Sequence, residues 1–136
     1  MSFMKKFPQV GVGVIIKNKG KILLLKRKGS HGEGTWAPPG GHLEFNERIE
    51  ECVKREVIEE TGLILDKIKF IGVTNDIFRE EGKHYITIFM SCESKTDEVE
   101  IKEKDKCAAM GWFEWKKLPE PLFLPLQNLI KQGVVI

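Results

Sequence analysis

Hydrophobic and polar positions change period several times along the chain, and each change marks an element. "VGVGVIIKNKGKILLLKRK" opens on β-branched residues from Val10 to Ile16, breaks at "KNKG" and resumes from Ile22 to Leu25. Two apolar runs around such a turn predict a β-hairpin with a buried centre. "GSHGEGTWAPPGGH" holds five glycines and two prolines in 14 residues, which predicts a loop broken by a short extended piece near Thr35 and Trp36. From about Asn46 to Thr61 the period is helical, with Asn46 as the expected N-cap, acidic residues after it and Gly62 as the stop.

Beyond Gly62, "LILDKIKFIGVTNDIF" alternates as a long strand does. "REEGKH" reads as a turn and "YITIFMSCES" as the second strand of a hairpin. "KTDEVEIKEKDK" is charged and predicts a solvated loop. "MGWFEW" predicts a short strand, and "PLFLPLQNLIKQG" a terminal helix from near Pro125. Strands on both sides of one central helix predict an α/β fold, a mixed sheet with helices on its faces. No internal repeat or low-complexity tract interrupts it.

Composition narrows the function classes. The 136 residues fit one domain, 1–136. A net charge of +2 is too small to argue for a nucleic-acid polymer or an anionic membrane as partner, and it would not repel a polyphosphate. Cys52, Cys92 and Cys107 are few and widely spaced, with no CxxC. That pattern excludes a disulfide framework and a thiolate zinc site, and it predicts reduced thiols in a cytoplasmic protein. "MSFMKKFPQV" lacks the long apolar run of a signal peptide or a membrane span.

"REVIEETG" carries the chemistry. At about 100° per residue, Glu59 and Glu60 fall within about 60° of Glu56 on the helix. Ile49, Cys52 and Val53 share that face, whereas Lys54, Glu51, Ile58 and Arg48 lie on the other. Three carboxylates beside a core face repel one another and resist desolvation unless cations compensate. A hard divalent cation such as Mg2+ is the compensation that carboxylates favour, and it keeps positions for water and phosphate oxygens. Gly40 and Gly41, just upstream, let backbone approach a metal or a phosphate closely.

At these residues the sequence resembles the Nudix hydrolase family. The family box is filled at every defined position by Gly41, Glu47, Arg55, Glu56, Val57, Glu59, Glu60, Gly62 and Leu63. The resemblance implies an α/β/α sandwich around a mixed β-sheet, and cleavage of a nucleoside diphosphate linked to another group with Mg2+ or Mn2+. It implies that Glu56, Glu59 and Glu60 are metal ligands and that Gly41 adds a backbone carbonyl. Glu47 would support the metal site and Arg55 would orient the acid beside it. Either Glu59 or Glu60 would activate the water.

"KRKGSHGEGTWAPPGGHLEF" and "NDIFREEGKHYITIFM" are further similar to a subgroup of small, MutT-like nucleoside triphosphate diphosphatases. That likeness implies monophosphate and pyrophosphate as products, a small-molecule nucleotide as partner and a homodimer. Alternatives are a pyrophosphatase for ADP-ribose, NADH or dihydroneopterin triphosphate, and a Nudix domain that binds nucleotide without cleaving it. Trp36, Phe78, His84 and Tyr85 are candidates to meet the base, as is Trp112, with Lys26 and Arg27 for the phosphates. His31 and His42 read as loop residues rather than ligands. Two departures stand out. Pro38 replaces the usual Leu before "PGG", and Ala108 and Ala109 stand where relatives carry a downstream acid. Glu103 and Asp105 are the acids left to take that part.

Overall fold

The computed structural model describes residues 6–136; residues 1–5, on which part of the N-terminal reading rests, lie outside the described residues. The chain runs β1 (Gln9–Asn18), β2 (Lys21–Arg27), β3 (Trp36–Ala37), β4 (Gly40–His42), α1 (Ile49–Thr61), β5 (Asp66–Phe78), β6 (Lys83–Glu93), β7 (Cys107–Glu114), a 3-10 turn (Trp115–Lys117) and α2 (Leu124–Lys131). The strands form one mixed sheet in the order β3-β2-β1-β6-β5, with β7 on β2 and β4 on β1. β1 and β6 run parallel, and the other pairs are antiparallel.

Strand alternation divides the apolar residues between two layers. Val12, Val14, Ile16, Leu23 and Leu25 point to one face, where Cys52, Val53 and Val57 of α1 cover them. Ile15, Ile22, Leu24 and Phe89 point to the other, under Leu126 and Leu129 of α2. This is the sandwich that the sequence predicts. The C-terminal apolar run is thus spent on the protein's own core. No helix among the described residues is long and apolar enough to cross a membrane.

Two readings differ from expectation, the start of α1 and the solvation of the 95–106 stretch. Helix α1 begins at Ile49 with Arg48 as N-cap. Asn46 is left-handed, at φ 65°, inside a turn closed by Glu47 N–H donating to Glu44 O. The Arg48 N–H is met by Glu51 Oε1 at 3.1 Å, so the cap sits two residues later. Gly62 does end the helix, at φ 76°, with its N–H on Ile58 O. The charged 95–106 stretch is not wholly solvated, because Val99 and Ile101 pack on the α1 layer.

One feature of the sheet prepares the site. β1 pairs with β2 only at the hairpin end, Lys17 with Ile22 and Asn18 with Lys21. Further along, Gly11 to Gly13 pair instead with His42 to Gly40 of β4. β1 and β2 therefore part, and a cavity opens where they separate.

Candidate active site

The cavity measures about 450 Å³, within the range of small-ligand sites. Its lining comes from both layers, Val12, Leu25 and Cys107 from the α1 side and Phe89 from the α2 side. One end is acidic and the other aromatic.

At the acidic end, Glu56 and Glu60 of α1 face Gly40 and Gly41 of β4. The Gly40 N–H donates to Glu60 Oε1 at 3.0 Å. A Cβ on Gly41 would stand 2.3 Å from the Glu56 carboxyl carbon, and one on Gly40 would stand 2.0 Å from Val12 O. Gly40 therefore needs glycine for space against backbone, whereas a side chain at Gly41 would have to displace the Glu56 carboxylate. Burial pushes the Glu60 carboxyl well above the ordinary range against the pull of the Gly40 N–H, and Glu56 and Glu103 push the same way. Burial also raises Glu56, which Arg55 lowers and Glu59 and Glu103 raise.

Arg55 ties this end together. Its Nε donates to Glu47 Oε2 at 2.8 Å and its Nη2 to Glu47 Oε1 at 3.0 Å. Nη1 donates to Glu56 Oε1 at 2.7 Å, and Nη2 also reaches His42 O at 3.1 Å. These bonds hold Glu47 down to about 2, chiefly through the Arg55 hydrogen bond. Glu59 points outward, 47% exposed and 3.6 Å from Arg55 Nη1.

The expectation of three gathered carboxylates therefore holds for the helix face and not for the carboxylates themselves. Among the described residues no three His, Cys, Asp or Glu side chains are grouped as a metal cage, because Arg55 occupies Glu56 and Glu59 turns to solvent. The donor chemistry still fits a hard cation. Glu56 and Glu60 are oxygen donors crowded by like charge, and the Gly41 backbone lies against the Glu56 carboxylate.

At the aromatic end, Phe78, Tyr85 and Phe123 meet His31 and His42. His42 Nε2 lies 2.9 Å from the Tyr85 hydroxyl. Burial, then Lys83 and Arg27, keep His42 below its usual range. Arg27 lies between the two ends. Its guanidinium carbon is 4.2 Å from the Phe123 ring centre, and its Nε and Nη2 donate to His31 O and Ser30 Oγ at 2.9 Å each. Thr87 of the wall donates at 2.6 Å to fully buried Asp76. Asp76 also accepts from Thr74 and Asn128, which ties β5, β6 and α2 together behind the pocket.

Of the candidates read from sequence, Arg27, Gly41, Glu56, Glu60, Phe78 and Tyr85 line this cavity. Glu47, Arg55 and Glu59 do not line it; Arg55 bonds Glu56, and Glu47 and Glu59 connect to Glu56 only through Arg55. Lys26, Trp36 and His84 do not line it. Lys26 follows Leu24 onto the opposite face from Leu25 and Arg27. Trp36 packs edge-on against Phe113, with ring centres 5.2 Å apart, in the α2 layer. His84 bonds Asn75 on the neighbouring strand. Trp112 packs on the α1 layer and donates to Asp97 O. Sequence reasoning missed Phe123, read only as the approach to a helix, and set aside His31 and His42. Ala108 is exposed and Ala109 pairs with Lys26, whereas Glu103 and Asp105 both line the cavity.

Comparison with known proteins identifies the family and the fold. The NUDIX domain model matches residues 7–132. An ADP-ribose pyrophosphatase from Methanocaldococcus jannaschii is 37% identical over 116 residues, covering 85% of this chain and 68% of that protein. The nucleoside triphosphatase NudI of Escherichia coli is 37% identical over 101 residues, covering 66% of this chain and 72% of that protein. The crystal structure of a MutT NUDIX hydrolase from Burkholderia pseudomallei superposes with a TM-score of 0.87 at 32% identity, covering 95% of this chain and all of that one.

Proposed function

The chain belongs to the Nudix hydrolase family, and from that premise we propose that it cleaves nucleoside triphosphates, including oxidised or modified ones, to monophosphate and pyrophosphate. The observation that carries this reading is the polarity of one cavity. Its acidic end suits phosphates carried with a cation, and its aromatic end suits a flat base. Similarity to a nucleoside triphosphatase supports it.

Family members generally use a divalent metal such as magnesium. In this chain Glu56, Glu59, Glu60 and the Gly41 carbonyl would hold Mg2+ or Mn2+. When bound, such an ion neutralises phosphoryl charge and lowers the pKa of its water. The chain's own residues do the rest by position and charge. Arg55 fixes Glu47 and Glu56 in place. Glu60, facing the cavity and held by the Gly40 N–H, is the better placed of the two candidate bases to take a proton from the attacking water. Glu103 takes the part that Ala108 and Ala109 leave open. Arg27 stands between the ends of the cavity, where it meets a phosphate.

A second reading, hydrolysis of ADP-ribose, is favoured by the Methanocaldococcus jannaschii relative. A substrate panel with magnesium, scored for pyrophosphate and phosphate release, separates the two. We also infer a cytoplasmic homodimer that uses neither a nucleic-acid polymer nor a membrane. With α2 buried, its contact surface is assigned to the exposed apolar residues of edge strand β5, Phe70, Val73 and Ile77. Sedimentation at micromolar concentration should show twice the chain mass; a monomer alone contradicts it.

A further inference from the structure

The proposed function puts the base at the aromatic end of the cavity, and the role of His31 depends on that assignment. This end is already filled. The His31 imidazole lies parallel to the Tyr85 ring, 5.1 Å between centres and 6° between planes. It meets the Phe78 ring edge-on at 4.8 Å and the Phe123 ring at 5.7 Å. A flat, polar heterocycle among three aromatic rings occupies the environment that a nucleobase seeks.

Among the described residues the His31 Nδ1 is buried without a hydrogen-bond partner, a standing cost that leaving the slot relieves. The His31 loop is held by its own hydrogen bonds, so the part free to leave is the side chain. Gly29 and Gly32 flank it in left-handed conformations, at φ 72° and 70°. The His31 carbonyl accepts from Arg27 Nε, and the Gly32 N–H donates to exposed Glu81 at 3.1 Å. Burial, helped by Arg27 and Lys83, pulls the imidazole down to about 4, so at neutral pH packing alone retains the ring.

We propose that His31 is a displaceable plug: its imidazole fills the slot for the nucleotide's ring and leaves when the base stacks on Tyr85. Only the unplugged fraction of the protein then binds, and apparent affinity falls by that fraction. His31 is in this sense a specificity-determining residue for substrates that carry a planar base.

Calorimetric titration of the whole chain with AMP tests this, with ribose 5-phosphate as a reference that has the sugar and phosphate but no ring. The readout is the ratio of the two affinities. His31→Ala empties the slot, and the ratio should rise about fivefold or more as the population cost disappears. His31→Phe keeps a ring without the orphaned nitrogen, holds the slot more firmly and should lower the ratio. The reverse pattern, weaker with Ala and retained or improved with Phe, would make His31 a stacking wall and overturn the proposal. An unchanged ratio in both variants, or no AMP binding by any form, would overturn it too. A chain that hydrolyses ADP-ribose and no triphosphate would refute the proposed substrate yet still show the plug pattern, because adenine is present in both.

Discussion

Arg55 grips Glu47 with two hydrogen bonds, Nε to Oε2 at 2.8 Å and Nη2 to Oε1 at 3.0 Å, across eight residues that include the start of α1. The same guanidinium holds Glu56 through Nη1 at 2.7 Å. Lysine at this position carries the charge but cannot reproduce the fork. Arg55→Lys should therefore retain the fold and lose about a hundredfold in kcat/KM, the scale of a misplacement of about 1 Å. Activity within a factor of about three of the parent, a barrier change below about 1 kcal/mol, would show that Arg55 does not position Glu56.

The Glu47 carboxyl ties stability to pH. In the folded chain it is held down to about 2, from an ordinary value of 4.5. A depressed folded value means that the unfolded chain takes up the proton first. The stabilisation is thus complete above about 4.5 and is lost as pH falls towards about 2. Glu56 and Glu60 are shifted the other way, so their protonation opposes this trend. The difference between parent and Glu47→Gln isolates Glu47. In metal-free protein the variant's urea midpoint should fall less than the parent's between pH 6 and pH 3; parallel midpoints would contradict the linkage.

Adjacent glycines should fail differently. Alanine at Gly41 places a methyl into the Glu56 carboxylate, 2.3 Å away, and Glu56 can swing aside. Gly41→Ala should stay folded and lose most activity. Alanine at Gly40 meets the Val12 carbonyl at 2.0 Å, where only the β1–β4 pairing can give. Gly40→Ala should destabilise the protein by about 1–3 kcal/mol, as overpacking does. Thermal melts and initial rates of the two variants check the split; equal loss of stability in both would contradict it.

Much of the fold was legible in the sequence because it is local. The hairpin, the Gly62 stop, the strand pair β5–β6 and the start of α2 each follow from period and turn residues. Asn46 misled because its side chain suits a cap while its backbone goes left-handed to deliver Glu47 to Arg55. Val99 and Ile101 carried a readable two-residue alternation within "EVEIKE". The aromatic end was legible only in part: the sequence offers Phe78 and Tyr85 as base candidates, and not His31 and Phe123. His31, Phe78, Tyr85 and Phe123 come from four separate segments, and their meeting depends on where β1 parts from β2. Lys26 and Trp36 do not line the cavity, because strand alternation turns each away from Arg27.

Metal dependence is expected to be strict. Glu60→Gln or Glu59→Gln should remove most activity while leaving the melting profile close to the parent's. The two need not fail alike. Glu60 faces the cavity and Glu59 has to turn in from solvent. Full turnover in excess chelator would refute the need for a divalent ion.

The products of a single nucleoside triphosphate decide the reading most directly. The aromatic end fixes one end of the ligand and α1 fixes the other, so their separation selects the phosphorus that meets the water, and one cleavage should dominate. Chromatography of early time points with magnesium should show monophosphate and pyrophosphate in equal amounts. Diphosphate with inorganic phosphate as the first products would contradict the proposed cleavage, and no turnover of any triphosphate beside clear turnover of ADP-ribose would replace the substrate.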